Sequence, residues 1–188
     1  HDTQHSFPTR RSSDLVCSHP LLIDKSEKLE TDNNILIESA YKLERIYHIL
    51  SDIKEKNEKV IIFTKFRKMQ EILKNVIIHW YGIRTSIING EIDTHSRRRL
   101  LDEYRKKQGF NVIILSPEAA GVGLNIVEAN HVIHYTRHWN PAKEEQATDR
   151  AYRIGQKKDV YVYYPIIGEI ENIKDNYERE IFETVNEW

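Results

Sequence analysis

The sequence has a single cysteine and no long apolar stretch, and each of these features excludes a class of protein. Cys17 is the only cysteine among 188 residues, so no disulfide can form within the chain. A reducing compartment is therefore the default expectation. No apolar run approaches the roughly 20 residues that a helix needs to cross a bilayer. Hydrophobic residues make up 39% of the chain and charged residues 30%, which is typical of a soluble globular domain of ordinary size.

The histidines do not predict a metal site. His131, His134 and His138 are close together in the sequence. They lie on a predicted strand and its exit, where successive side chains point to opposite faces, so they are not expected to converge on one ion. Cys17 beside His19 offers too few ligands for a second candidate.

The two ends of the chain differ in composition from its middle. Residues 1–15 are polar and aperiodic, and residues 6–15 look like the conceptual translation of a sequencing-library adapter. We therefore expect residues 1–15 to be a non-native adapter-derived segment or a disordered arm. Residues 16–57 are predicted to be a lead-in segment that ends in a helix. Residues 169–188 carry seven acidic and two basic residues and are expected to form an acidic helix or tail.

Short apolar runs alternate with amphipathic patterns between residues 58 and 168. The runs are rich in β-branched residues and apolar throughout, which favours strands of a parallel sheet buried on both faces. The patterns between them favour helices that cover both faces of that sheet, which makes the fold class α/β. The predicted strands span residues 59–64, 85–88, 111–115, 131–135 and 159–164, and the predicted helices span residues 39–56, 66–80, 95–107 (capped by Thr94) and 142–154.

Residues 140–156 combine helix signals with closely spaced cationic side chains. Asn140 suits an N-cap and Pro141 the first helical position, and a glycine at 155 can end the helix. Gln146, Arg150 and Arg153 are then spaced by four and three residues, so they share one face. Two guanidiniums and an amide form a donor array suited to phosphate oxygens. The alternative is an ordinary solvated face with helical ion pairs such as Asp149–Arg153.

A second segment with binding potential follows the predicted strand 111–115. Ser116 begins a loop that contains Gly121, Gly123 and Asn125. Glycines after a parallel strand allow a ligand to approach the backbone closely, and open α/β sheets bind ligands beyond the carboxyl ends of their strands. The alternative is a plain tight turn.

Three segments resemble motifs of the Swi/Snf-type ATPases in helicase superfamily two. VIIFTKF at residues 60–66 resembles motif IV, AGVGLN at residues 120–125 resembles motif V, and QATDRAYRIGQ at residues 146–156 resembles motif VI. They occur in the order and roughly the spacing of the family. The resemblance implies the second, C-terminal RecA-like lobe of a DNA-dependent ATPase, with a P-loop NTPase-like parallel sheet and helices on both faces.

The resemblance also implies site residues, residue by residue. Arg150 and Arg153 fall on the arginine fingers of motif VI, which act on ATP. The other residues on ATP-binding positions are Gln146, Gly121, Gly123 and Asn125, and those implied for nucleic-acid binding are Lys65, Arg98, Arg99, Ser116 and Trp139. Trp139 is expected either to stack on a base or sugar or to pack against the motif VI helix.

The phosphate-cradling loop is missing from these 188 residues. No Gly-x-x-x-x-Gly-Lys-Ser/Thr pattern occurs, and Asp102-Glu103 lies in a predicted helix and not at a strand end. ATP and the ligands of its Mg²⁺ are therefore expected to depend on an N-terminal RecA-like lobe, and this fragment alone should be inactive. Double-stranded DNA is the expected partner, in the cytoplasm and on the nucleoid if the source is bacterial. A strand-separating helicase lobe and a free-standing binding or regulatory module without ATPase activity remain alternatives.

Overall fold

A computed structural model describes residues 41–120, 126–137, 141–149, 156, 158–165 and 183–184. Its sheet has six strands, β1 Lys59–Phe63, β2 Ser86–Ile88, β3 Asn111–Leu115, β4 His131–His134, β5 Tyr161–Tyr163 and β6 Glu183–Thr184. The strand order is β2-β3-β1-β4-β5-β6. The first five of these strands pair in parallel, and β6 pairs antiparallel with β5. The α/β fold with a parallel sheet is thus confirmed.

Five helices are described, α1 Tyr41–Glu55, α2 Arg67–Tyr81, α3 Thr94–Lys106, α4 Pro117–Ala120 and α5 Pro141–Thr148. Side chains alternate along each strand, so the sheet supports two cores. Val60 and Ile62 pack with α1 and α2 on one face. Ile61 and Phe63 pack with residues of α3, α4 and α5 on the other. The helices therefore cover both faces, as the strand composition predicts.

The connections leave β1 and β4 on opposite faces of the sheet. After β1 the chain passes through α2 to β2, and after β4 it passes through α5 towards β5 on the other side. Adjacent parallel strands whose connections diverge in this way form a topological switch point, and a crevice opens beyond their carboxyl ends. The ends of β1 and β4 thus define where a ligand site is expected.

One cap differs from the sequence-based prediction. The cap of α3 is Asp93 and not Thr94, because the Asp93 carboxylate accepts hydrogen bonds from the backbone N–H groups of His95 and Ser96 at 2.9 and 3.0 Å. The hydrogen bonds from Ser96 lower the pKa of Asp93. Aspartate and threonine are both favourable N-caps, so the sequence does not decide between Asp93 and Thr94. The backbone conformation at the start of the helix decides it.

The acidic segment 169–188 is described at two residues only. Glu183 and Thr184 form β6, so these two residues are extended and not helical. The rest of that segment, like residues 1–40, lies outside the described residues. Within the part of the chain that the structure describes, no helix is long and apolar enough to cross a membrane.

Candidate functional site

The carboxyl ends of β1, β3 and β4 lie side by side. Phe63 pairs in register with both Leu115 and His134, the last residues of the neighbouring strands. Backbone hydrogen bonds continue past the strands, from Thr64 N to Leu115 O at 3.1 Å and from Tyr135 N to Phe63 O at 2.9 Å. The segments that follow β1 and β4 therefore leave the sheet from one common edge.

A hydrogen-bonded chain crosses this edge on the side of α2. The Thr64 and Thr136 hydroxyls lie 2.8 Å apart, and both residues are buried. Gln70 of α2 donates from Nε2 to the Thr64 carbonyl at 2.9 Å, and Asn89 donates from Nδ2 to Gln70 Oε1 at 3.2 Å. The Asn89 side chain in turn accepts from the backbone N–H of Glu91 at 3.1 Å. This network ties the exits of β1, β2 and β4 to one another.

Lys65 comes directly after Thr64 of this network in the chain. The residue is half-buried, and its Nζ lies 4.9 Å from the centre of the Phe66 ring. Arg67, which follows β1, forms an ion pair with Glu91, which follows β2, at the same edge of the sheet. Lys65 is thus placed on the carboxyl edge of the sheet, where the sequence-based prediction requires it.

The arginines of α3 divide into two kinds. Arg98 and Arg99 are exposed, and Arg99 lies 3.9 Å from Glu103, one helical turn further on. Arg97 turns back instead and donates from Nη2 to the Ile92 carbonyl at 3.1 Å. Arg98 and Arg99 are therefore available to a large ligand, whereas Arg97 supports the turn that precedes its own helix.

Ser116 caps the start of a short helix of its own domain. Its hydroxyl accepts a hydrogen bond from the backbone N–H of Ala119 at 3.1 Å, and only 5% of the residue is exposed. This is the geometry of an N-cap, here for the short helix α4. The predicted nucleic-acid contact of Ser116 stays a prediction, because the hydroxyl faces into its own domain.

Helix α5 lies beside the exit of β4 on the opposite side of the edge. Gln146 is exposed on it, while Glu144, Ala147 and Thr148 are buried. The helix ends at Thr148, and Asp149 N still bonds to Glu145 O at 2.8 Å in the turn that follows. Other predicted site residues lie outside the described residues, namely Gly121, Gly123, Asn125, Trp139, Arg150 and Arg153.

Two polar contacts join α5 to β4. Arg137 donates from Nε to both carboxylate oxygens of Glu144, at 3.0 and 3.2 Å. His134 Nε2 lies 2.9 Å from Thr148 Oγ1. The His134 ring stacks between Phe63 and Tyr164, with ring centres 5.3 and 5.1 Å away. Burial lowers the pKa of His134 to about 4, an effect that Glu144 opposes and Arg137 reinforces, so the ring is neutral near pH 7.

The other histidine of β4 lies on the opposite face and at the opposite end. His131 Nε2 is 2.6 Å from Glu58 Oε2, and its Nδ1 is 3.0 Å from Tyr163 Oη. Burial alone would raise the pKa of Glu58, but hydrogen bonds from Lys158, Asn130 and His131 lower it to about 2. Burial lowers the pKa of His131, so the pair is best described as a neutral imidazole donating to a carboxylate. His131 and His134 therefore do not converge, and among the described residues no group of three potential ligands could hold a metal ion.

The side chains that organise this edge carry no motif or spacing signal in the sequence. Glu144 and Thr148 share the inner face of α5, but nothing in their spacing identifies His134 and Arg137 as their partners. The hydrogen bonds of Gln70 could not be predicted either. The residue is 1% exposed on α2, among positions that are otherwise apolar, and a polar residue there gives no sign of its partners. Thr136 gave no signal either, although its hydroxyl lies 2.8 Å from the buried hydroxyl of Thr64.

The fold and the edge together define a RecA-like lobe, with its ligand crevice at the carboxyl ends of β1 and β4. Residues 41–155 match the helicase conserved C-terminal domain, and the chain belongs to that family. Within it, the relatives and the structural neighbours include ATPases of the Swi/Snf type, and this chain matches their C-terminal lobe.

Two curated relatives illustrate the match. The chain is 47% identical over 163 residues to the Zorya protein ZorD of Escherichia coli O139:H28 (strain E24377A / ETEC), which covers 84% of this chain and 14% of that protein. It is 39% identical over 157 residues to the putative ATP-dependent helicase/translocase YwqA of Bacillus subtilis (strain 168), covering 83% of this chain and 16% of that protein. The chain therefore spans a small part of the length of these relatives.

Two solved structures share the fold. The C-terminal part of the Fun30 ATPase domain superposes with a TM-score of 0.66 at 30% identity, covering 73% of this chain and 43% of that one. The Sulfolobus solfataricus SWI2/SNF2 ATPase core, solved in complex with dsDNA, superposes with a TM-score of 0.65 at 29% identity and covers 80% of this chain and 30% of that one.

Proposed function

We propose that this lobe supplies two arginine fingers and part of a DNA track to an ATP-dependent double-stranded DNA translocase. Arg150 and Arg153 engage the γ-phosphate of an ATP whose Mg²⁺ ligands and P-loop belong to an N-terminal RecA-like lobe of the same protein. Gln146 and the segment with Gly121, Gly123 and Asn125 complete the nucleotide side. Repeated closing and opening of the two lobes moves the duplex along their shared groove.

The position of α5 carries this proposal. The helix stands at the switch point of the sheet, its Gln146 is exposed, and Arg150 is two positions after its last residue in the sequence. Lys65 leaves the sheet from the same edge, after the neighbouring strand β1. One edge can thus serve a triphosphate on one side and a phosphate backbone on the other, which is what coupling hydrolysis to movement requires.

The fingers are tested in the complete ATPase, with this lobe joined to its first lobe. We expect Arg150→Ala and Arg153→Ala each to lower DNA-stimulated kcat on the order of a thousandfold, because a finger stabilises charge on the transferring phosphoryl group. Arg84→Ala removes an exposed arginine that precedes β2 at the other end of the sheet, and it is the matched control. An Arg153→Ala enzyme with undiminished turnover would refute the finger assignment.

Translocation and strand separation are distinguished on DNA itself. On an intact duplex that carries a bound third-strand oligonucleotide, we expect the enzyme to displace that oligonucleotide. On a forked substrate, we expect it not to separate the strands. Unwinding of the fork would favour a strand-separating helicase instead. The 188-residue chain alone is expected to show no ATPase activity, because no P-loop pattern occurs in it.

A further inference from the structure

The described side chains of helix α5 give it little apolar contact with the sheet. Among its described side chains, Ala147 is the single buried apolar one. A methyl group buries little area, whereas α2 buries five large apolar side chains in the core. Among the described residues, contacts of another kind therefore do more to set the position of α5.

Those contacts are polar, and they hold both ends of the helix. Arg137 bonds to Glu144 in the first turn, and His134 bonds to Thr148 at the last residue. Glu144 and Thr148 are four residues apart, so they lie on one face of the helix. Both partners come from one short segment, the last residue of β4 and the third residue beyond it.

A single aromatic ring braces both partners. Tyr164 stacks on His134 with the ring planes 11° apart, and the guanidinium carbon of Arg137 lies 4.4 Å from the centre of the same ring. Phe63 closes the other side of the imidazole. The side chains that hold α5 are thus themselves held by β1 and by the segment after β5.

We infer that His134, Arg137, Glu144, Thr148 and Tyr164 form a clamp that sets the position of α5 and thereby aims the first arginine finger, Arg150. These are positioning residues, and the inference rests on the proposed function. Thr148 is two residues before Arg150, so rotation or sliding of α5 displaces the first finger directly. A displacement of about 1 Å is enough to lower a rate by about a hundredfold.

Two variants remove the clamp with little change of shape. Glu144→Gln removes the charge that Arg137 binds, and Thr148→Val removes the hydroxyl that bonds to His134. In the complete ATPase we expect kcat to fall by about ten- to a hundredfold while KM for ATP changes less than about twofold, since the fingers act on the transition state. Thr148→Ser keeps the hydroxyl and should restore turnover. Glu145→Gln, exposed on the same helix, and Thr94→Val, exposed on α3, are the matched controls.

A double-mutant cycle tests whether the clamp acts through the finger. Once Arg150→Ala has removed the finger, adding Thr148→Val should lower kcat little further. The kcat losses of the two single variants should therefore not multiply in the double variant. Multiplying effects would overturn the inference. Full turnover of Glu144→Gln and Thr148→Val beside an inactive Arg150→Ala would overturn the inference alone, whereas full turnover of Arg150→Ala would overturn the proposed function and the inference with it.

Hydrogen exchange provides a readout that does not depend on activity. In the complete ATPase without nucleotide, the amides of residues 145–149 should exchange at least about tenfold faster in Glu144→Gln and Thr148→Val, because opening of the helix no longer has to break the clamp. The amides of β1 report on global stability and should not change. Equal acceleration in α5 and β1 would mean general destabilisation and would contradict a positioning role.

Discussion

At the scale of single residues, His134 is the side chain whose properties depend most on the fold. It is 2% exposed, and burial lowers its pKa to about 4. In the unfolded chain a histidine titrates near pH 6.5, so between these values the unfolded chain binds more protons than the folded one. Stability therefore increases with pH across this window and is lost as pH falls through it.

We expect the free energy of unfolding of the chain to decrease by up to about 3 kcal/mol between pH 6.5 and 4 on account of His134. His134→Gln should flatten this dependence, while His79→Gln, an exposed control on α2, should leave it unchanged. Burial also lowers the pKa of His131, so this residue will maintain part of the dependence of stability on pH in His134→Gln. Glu58 loses its contribution only below its ordinary pKa of 4.5. Urea denaturation at several pH values measures this, and equal slopes for His134→Gln and the parent chain would contradict the prediction.

At the scale of elements, the network between α2 and the strand exits behaves as one unit. Gln70 is the member that both donates, to the Thr64 carbonyl, and accepts, from Asn89. Leucine has a similar size but can do neither. Its presence would leave a buried carbonyl without its hydrogen-bond donor, which costs more than the loss of an exposed bond.

We therefore expect Gln70→Leu to lower the free energy of unfolding by about 2 kcal/mol. Gln108→Leu, at an exposed position before β3, is the control and should change it by less than about 0.5 kcal/mol. Chemical denaturation of the two variants measures the difference. If Gln70→Leu matched its control, the network would not stabilise the edge.

At the scale of the whole molecule, the proposed DNA track depends on Lys65, which is half-buried, and on Arg98 and Arg99, which are exposed. A lysine that contacts a phosphate releases a counterion on binding, so affinity depends on salt. We expect Lys65→Ala in the complete ATPase to weaken duplex binding for all sequences alike. The slope of log K against log salt should become shallower by about 1.

Fluorescence anisotropy on a labelled duplex, repeated at several salt concentrations, measures this slope. Arg84→Ala removes one positive charge away from the carboxyl edge and should leave the slope unchanged. Equal slopes for Lys65→Ala and Arg84→Ala would show that the loop after β1 does not contact the DNA backbone.

The sequence by itself determined the class of fold and the edge at which to search for a site. Apolar runs such as Asn111–Leu115 predicted their strand to the residue, because a strand buried on both faces needs apolar side chains throughout. Once the strands are parallel, their carboxyl ends share an edge, so the chain leaves β1, β3 and β4 from that one edge. These inferences use only local pattern and chain connectivity.

The tertiary structure alone decided which polar side chains hold that edge together. Thr64 meets Thr136 across 72 positions of sequence, and His134 meets Thr148 across 14. Such pairs produce no periodic pattern in the sequence. Each contact depends on the length of a strand and on where a helix packs against the sheet. For the same reason Asp93 and not Thr94 caps α3, and Ser116 serves its own domain. Hydrophobic periodicity specifies which elements pack, whereas hydrogen bonds are made only where packing has brought donors and acceptors within about 3 Å.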